Sequence, residues 1–267
     1  MRARFSWGES LLLRRITKHV TDQNWFAVFI DFCIVVIGVF IGIQVANWNE
    51  ARANAVREQV ILADLLDDLK ADQATLSAAS QLTTLGIDAG NMMLIGAGLE
   101  PIESVSTPGQ SSIFLGTDGF SVAPPSQPTE ATRHALWTSL TVRLYPTHND
   151  ATIESLIAAD NSSIIEDSTL VRDLLRYRTL WTGVEDAQVN TFRPIRDRTI
   201  FVGQEHGFSP LTHVEYASLV DALGSDLELE GAVRTMIALT VAQQRFYESL
   251  QAQSQRLRAH VEAELEK

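Results

Sequence analysis

The sequence predicts an all-α protein: a single N-terminal transmembrane helix followed by an antiparallel helical bundle with one long Pro/Gly-rich loop. Three observations carry that prediction. Residues Phe26 to Ala46 form 21 positions with a single charged residue, Asp31. Apolar residues elsewhere recur at the three-to-four spacing of helices, with little of the alternation that marks strands. Five of the eight prolines fall within residues 96–128. The chain therefore divides into a basic segment (1–24), a membrane helix (25–48) and an exported helical domain (49–267) with its loop at about 96–128.

Phe32 to Ala46 is apolar on every side, which a helix packed on a soluble core has no need to be. At about 1.5 Å per residue, Phe26–Ala46 spans roughly 31 Å, close to the thickness of a bilayer core. Trp25 and Trp48 bracket the run at the depth where amphipathic aromatics are favourable, and Asn47 and Asn49 flank the exit with polar amides. The run is longer than the hydrophobic region of a cleaved leader, so it reads as an uncleaved signal anchor.

The flanking charges set the orientation. Arg2, Arg4, Arg14, Arg15 and Lys18 precede the run, against Arg52 and Arg57 in the twenty residues after it. This asymmetry places the N-terminus in the cytoplasm and the C-terminal domain in the periplasm of a bacterial inner membrane. Residues 1–48 carry a net +2, which leaves −14 of the total −12 for the exported part. So acidic a domain excludes nucleic acid as a partner. The lone Cys33 excludes an internal disulfide. Before the run, Leu12, Leu13, Ile16 and Val20 share one helical side, which fits either a short interfacial helix or a basic tail that only sets topology.

Within the span, Gly38 and Gly42 form a GxxxG pair, which lets helix backbones approach closely. Asp31, Gly38 and Gly42 lie on one seam by the 4-3-4 spacing that also takes in Val35, Val45 and Asn49. An acid at this depth is costly and marks a contact point by default. These three residues are the expected membrane-helix association site.

The exported helices follow in order. Residues 49–95 continue the membrane helix, with Val56, Val60, Leu62, Leu66, Leu69, Gln73 and Leu76 on the packing side. Asp64, Asp67, Asp68 and Asp72 are expected on a solvated face, and Gly86, Gly90, Gly96 and Gly98 weaken the pattern toward its end. In the loop, Ile113-Phe-Leu is expected to pair briefly as a strand or to pack on the domain, and Phe114 and Phe120 are the side chains placed to touch a ligand or partner. Thr129–Leu140 predicts one helix. Asn149 or Asp150 caps another through about Ala159, and Asp167 or Ser168 starts the next, with Leu170, Leu174, Tyr177 and Trp181 on one side. Pro194 is expected to end or kink it. Thr212–Leu223 predicts a short helix stopped by Gly224. Leu229, Val233, Met236, Thr240, Gln243, Tyr247, Leu250, Ser254, Leu257 and Val261 keep an alternating 4-3 spacing, the seam of a long bundle or coiled-coil helix. Its three polar members predict only partial burial.

Val35-Val-Ile-Gly38, followed by Gln44-Val-Ala-Asn-Trp-Asn-Glu50 and Arg52, resembles the span and exit motif of a bacterial family of uncharacterised single-pass membrane proteins, a domain of unknown function. Leu62 to Asp72 resembles the helix that follows there. Ala151–Asn161 with Ile164, Ile165 and Leu170–Tyr177 is similar to a weaker second block. Asp31 stands where that family usually has glutamate, and Ala46 replaces the first of its paired asparagines. The resemblance covers about 40 residues closely and about 30 weakly. It implies an architecture and no activity.

No catalytic pattern emerges. Gly96-Ala-Gly98 meets Pro101 where a dinucleotide loop needs its third glycine. There is no phosphate loop, no Gly-x-Ser-x-Gly elbow and no His-Glu-x-x-His. His148-Asn-Asp150, Glu205-His206 and His213 could supply ligands only if the fold gathered them, so no metal and no cofactor is expected. The reading is a non-enzymatic membrane-anchored protein that associates with itself or with another envelope membrane protein. The alternative is a sensor-like module in which a ligand in the bundle alters helix packing and signals through a partner's membrane helix.

Overall fold

The computed structural model describes residues 25–105, 119–158 and 164–266. The chain divides into two units, Met1–Arg57 and Glu58–Lys267. The fold class is all-α: among the described residues the only strands are two two-residue pieces.

Helix α1 runs without a break from Trp25 to Gly96. In the first unit it is the only described element, and it is the only described helix long and apolar enough to cross a membrane. Its apolar run is exposed throughout except for half-buried Cys33. The basic segment, with Leu12, Leu13, Ile16 and Val20, lies outside the described residues.

In the second unit α1 changes character. From Leu62 it buries a single stripe: Leu62, Leu65, Leu69, Asp72, Leu76, Ala79 and Thr83. That stripe corrects the predicted one at three points. Val56 and Val60 are exposed. Leu65 takes the buried place, and Leu66 is only half-buried. Asp72 is buried, whereas Asp64 and Asp67 do face solvent. The helix ends at Gly96, with Gly98 at positive φ in the turn beyond it, but Gly86 and Gly90 do not interrupt it. Gly86 and Gly90 lie under neighbouring side chains, where a smaller residue lets elements approach.

After α1, Ser104–Val105 (β1) pairs antiparallel with Phe120–Ser121 (β2), with Val105 opposite Phe120. Phe114 and the Ile113-Phe-Leu run lie outside the described residues. The single helix expected over 129–140 is instead two, α2 (Glu130–Arg133) and α3 (Leu136–Thr141), with a turn at His134–Ala135. Ala151–Ala158 is α4 and Ser168–Ala187 is α5. Asp167 caps α5 by accepting from the Thr169 and Leu170 amides, the partner set an N-cap supplies.

Pro194 does not end the chain's helical course. A π-helical turn at Gln188–Phe192 precedes it, and α6 (Arg193–Glu205) starts with the proline in its first turn. The Arg193 amide donates to the Gln188 carbonyl five residues back, so the helix widens where it meets the proline. Helix α7 is Tyr216–Ser225, four residues later than expected at its start, and α8 is Leu227–Leu265.

All ten predicted seam positions of α8 are buried, together with Ile237 and Val241. Thr240, Gln243 and Ser254 are buried as completely as their apolar neighbours, against the expectation of partial burial. Ser254 faces the Leu69 carbonyl, Gln244 faces Thr84, and Ile237 lies against Gly90. Numbers fall along α8 as they rise along α1, so these two helices run antiparallel. α8 also packs on α5, α6 and α7.

The interior holds two apolar clusters. One gathers Leu62–Ala79 of α1 with Tyr177, Trp181 and the Tyr247–Val261 part of α8. The other gathers Ile87–Leu94 with Trp137, Leu140, Val202 and the Leu229–Val241 part of α8. A methyl group at Gly90 would overlap the Ile237 side chain and meet Leu140 Cδ1 at 3.2 Å. Gly90→Ala is therefore expected to destabilise the fold by about 1–3 kcal/mol through overpacking. Gly183, exposed in α5 with nothing within 4 Å of that position, serves as the control: Gly183→Ala should leave thermal unfolding of the detergent-solubilised protein without loss.

Candidate functional site

The predicted association residues stand on the first unit. Asp31, Gly38 and Gly42 are all exposed. Their 4-3 spacing keeps them on one helix face. Nothing lies within 4 Å of a methyl group placed on either glycine. Trp25, Asn47, Trp48 and Asn49 are exposed as well, with the Arg52 guanidinium 6.0 Å from the Trp48 ring centre. This is a helix surface with backbone accessible at two points and a carboxylate in line with them.

A polar node lies inside the second unit. Asp72 is 1% exposed. Its Oδ1 accepts from the Asn149 amide at 2.8 Å, and its Oδ2 accepts from the Tyr177 hydroxyl at 2.9 Å. His148 places Nε2 3.4 Å from the same Oδ2, with its side chain 5% exposed. The imidazole stacks on Trp181 at 5.2 Å and meets Tyr177 edge-on at 5.3 Å. One turn before Asp72, Asp68 receives the Asn149 side chain and the Thr152 amide. The start of α4 is thus fastened to α1 by two carboxylates.

Burial disfavours charge on both central groups. Desolvation pushes Asp72 up from 3.8 to about 6, against the opposing effect of the Asn149 and Tyr177 hydrogen bonds. Desolvation pulls His148 down from 6.5 to about 4. Burial also pushes the Tyr177 hydroxyl up, so it remains a donor. Between about 4 and 6, Asp72 and His148 are therefore both uncharged in the folded chain.

A second polar layer separates the two apolar clusters. The Arg143 guanidinium donates to the Ser139 and Val142 carbonyls and to Thr240 Oγ1, each at 2.9 Å. Burial lowers it to about 10, which leaves it charged at neutral pH. Gln243 donates to the Tyr247 hydroxyl at 2.7 Å in the same layer. Phe120, the described member of the predicted loop pair, lies under the Arg245 guanidinium at 4.2 Å.

The histidines do not converge as one set. His148 belongs to the Asp72 node, His206 contacts Asp226 at 3.0 Å, and His213 contacts Glu215 at 3.0 Å. Sequence reading placed Asp72 on the wrong face and gave Tyr177 and Trp181 only packing roles. The signal for Asp72 was present: it continues the Leu62, Leu65, Leu69 stripe at the next three-residue step. The meeting of Asp72 with Tyr177, 105 positions away, leaves no local mark.

The node predicts opposed pH dependences. The folded chain retains a proton on Asp72 that the unfolded chain has released, so this group lowers stability as pH rises from 3.8 to about 6. The folded chain refuses a proton on His148 that the unfolded chain binds, so this group lowers stability as pH falls from 6.5 to about 4. In the native protein the two slopes offset. Relative to it, Asp72→Asn should gain stability with rising pH across that window, and His148→Asn should lose it. Urea midpoints at pH 4, 5, 6 and 7 test this; two variants with the native slope would refute it.

Residues 31–91 match the model of a family described as Family of unknown function (DUF6090). The match takes in most of the apolar run, from Asp31 on, with Asp72 and the glycines at Gly86 and Gly90. No curated protein and no solved structure matches the chain.

Proposed function

We propose that this chain is a non-enzymatic, single-pass membrane protein of a bacterial inner membrane, with its N-terminus in the cytoplasm and a periplasmic antiparallel helical bundle for protein–protein interaction or assembly. The observation that carries this reading is the fully exposed apolar run of α1. In water an apolar helix of that length is unstable in isolation, and in a bilayer its hydrogen bonds are all satisfied internally. The charge asymmetry of the flanks supports the orientation. The alignment of Asp31 with Gly38 and Gly42 supports association through the span, with a second copy or another envelope membrane protein.

A sensor-like alternative is favoured by one observation. The node at Asp72 lies on the same continuous helix as the apolar run, so a change in its protonation acts on the anchor helix itself. That reading requires a partner's membrane helix to receive the change.

The test uses the span in a bacterial membrane two-hybrid assay. Gly38→Ile with Gly42→Ile should abolish association, since bulky branched side chains prevent backbone approach. Asp31→Asn should retain it and Asp31→Leu lose it. Unchanged association in the double glycine variant would sink the seam. A C-terminal alkaline phosphatase fusion that is inactive would overturn the orientation.

A further inference from the structure

Away from both polar nodes, His134, His213 and Glu215 come together, each with a ligand atom within 4.8 Å of the other two. His134 ends α2, and its backbone amide is taken by the Thr132 carbonyl. His213 and Glu215 lie in the segment that leads into α7, where buried Val214 anchors the chain between them. The His134 and His213 rings stack at 4.0 Å. His213 Nε2 is 3.0 Å from Glu215 Oε1.

We infer that these three side chains form a binding site for a divalent transition metal of the zinc type, with a fourth position open to water.

Three features of the fold point to a ligand. Glu215 precedes α7 without capping it, and its carboxylate turns instead to His213 Nε2. Among the described residues, His134 Nδ1 is shielded from solvent and has no hydrogen-bond partner. An unsatisfied shielded nitrogen is costly unless something occupies it. The nearby cation, Arg133, rests over the Tyr216 ring at 5.3 Å. The donor set, two imidazoles and one carboxylate, is the combination that suits zinc and its neighbours better than magnesium or calcium.

Closure on the ion needs a small rearrangement. Ligand atoms around a tetrahedral zinc ion lie about 3.3 Å apart for bonds of about 2.0–2.1 Å. Two rings tilted by only 29° cannot both direct in-plane lone pairs at one ion. One ring must turn about its Cβ–Cγ bond. His213 is free to do so, because its side chain is 55% exposed and that of Glu215 is 70% exposed. A bound ion would tie the α2–α3 turn to the start of α7.

Asp167, His260 and Glu264 form another group of similar spacing. There the fold already accounts for the key atoms: Asp167 Oδ1 caps α5 and Oδ2 holds His260 Nε2 at 2.8 Å. This group serves as the internal control.

The experiment is a titration of Zn²⁺ into the tag-free, full-length protein in detergent after removal of metal with a chelator. The expected result is one saturable equivalent in the micromolar range or tighter. His213→Ala and Glu215→Gln should each weaken binding by more than about tenfold, since loss of even an outer-shell partner of a metal site costs about ten- to a hundredfold. His260→Gln should leave it unchanged. Co²⁺ absorption gives a second readout, with the tetrahedral visible bands present in the native protein and absent in His213→Ala. Circular dichroism verifies that the variants, both changed at exposed side chains, remain folded. No saturable binding below about 1 mM, or native affinity in His213→Ala, would overturn the site.

Discussion

The rest of the second unit depends on one helix, α8, which shares both apolar clusters with α1 and packs on α5, α6 and α7. Both helices carry a seam of buried residues at alternating three- and four-residue steps, and both seams are long. A helix with a single buried stripe must set it against the interior, and both stripes enter the same two apolar clusters. The shorter helices then pack on what remains: α5, α6 and α7 all contact α8. Because α8 is common to these contacts, its register decides where each of their buried faces must fall.

Register along an apolar seam is weakly specified if every position is equivalent. Here it is interrupted by polar groups with defined partners. Asp72 meets Tyr177 and the Asn149 amide, Arg143 meets Thr240, and Ser254 meets the Leu69 carbonyl. A slip of one turn would leave each buried group without its partner, at a cost of about 1–3 kcal/mol apiece. These groups select among packings that the leucines alone would tolerate. The same burial moves Asp72 and His148 away from their ordinary protonation ranges, so the device that sets register is also the part of the domain most responsive to protons.

Helix α1 is held to two different standards along its length. Over Phe26–Ala46 it is almost wholly apolar and exposed among the described residues; from Leu62 onward only one stripe is buried. The backbone does not register the change, since helical hydrogen bonding satisfies it in either setting. The side chains do. The glycines illustrate this: Gly38 and Gly42 have open space around them, whereas Gly86 and Gly90 are overlaid by Arg143 and Ile237. One residue type thus serves possible contact with something outside the chain in one part and closure of the interior in the other.

The sequence by itself determined the class and the main helices. The apolar run, the α8 seam in all ten positions, the Asp167 cap and the packed side of α5 were legible because each depends on residues within a few turns of one another. It also misled locally where local rules had two outcomes: Pro194 was compatible with a helix end or a first turn, and Thr240, Gln243 and Ser254 were polar residues on a buried stripe. The polar node and the group at His134, His213 and Glu215 were decided only by tertiary structure. Their members lie 76 to 105 positions apart for Asp72 with His148 and Tyr177, and 79 apart for His134 with His213. Periodicity assigns a residue to a face but not to a partner. Partners are chosen when two faces dock, and that choice is made by shape and by the satisfaction of buried polar atoms across the whole domain.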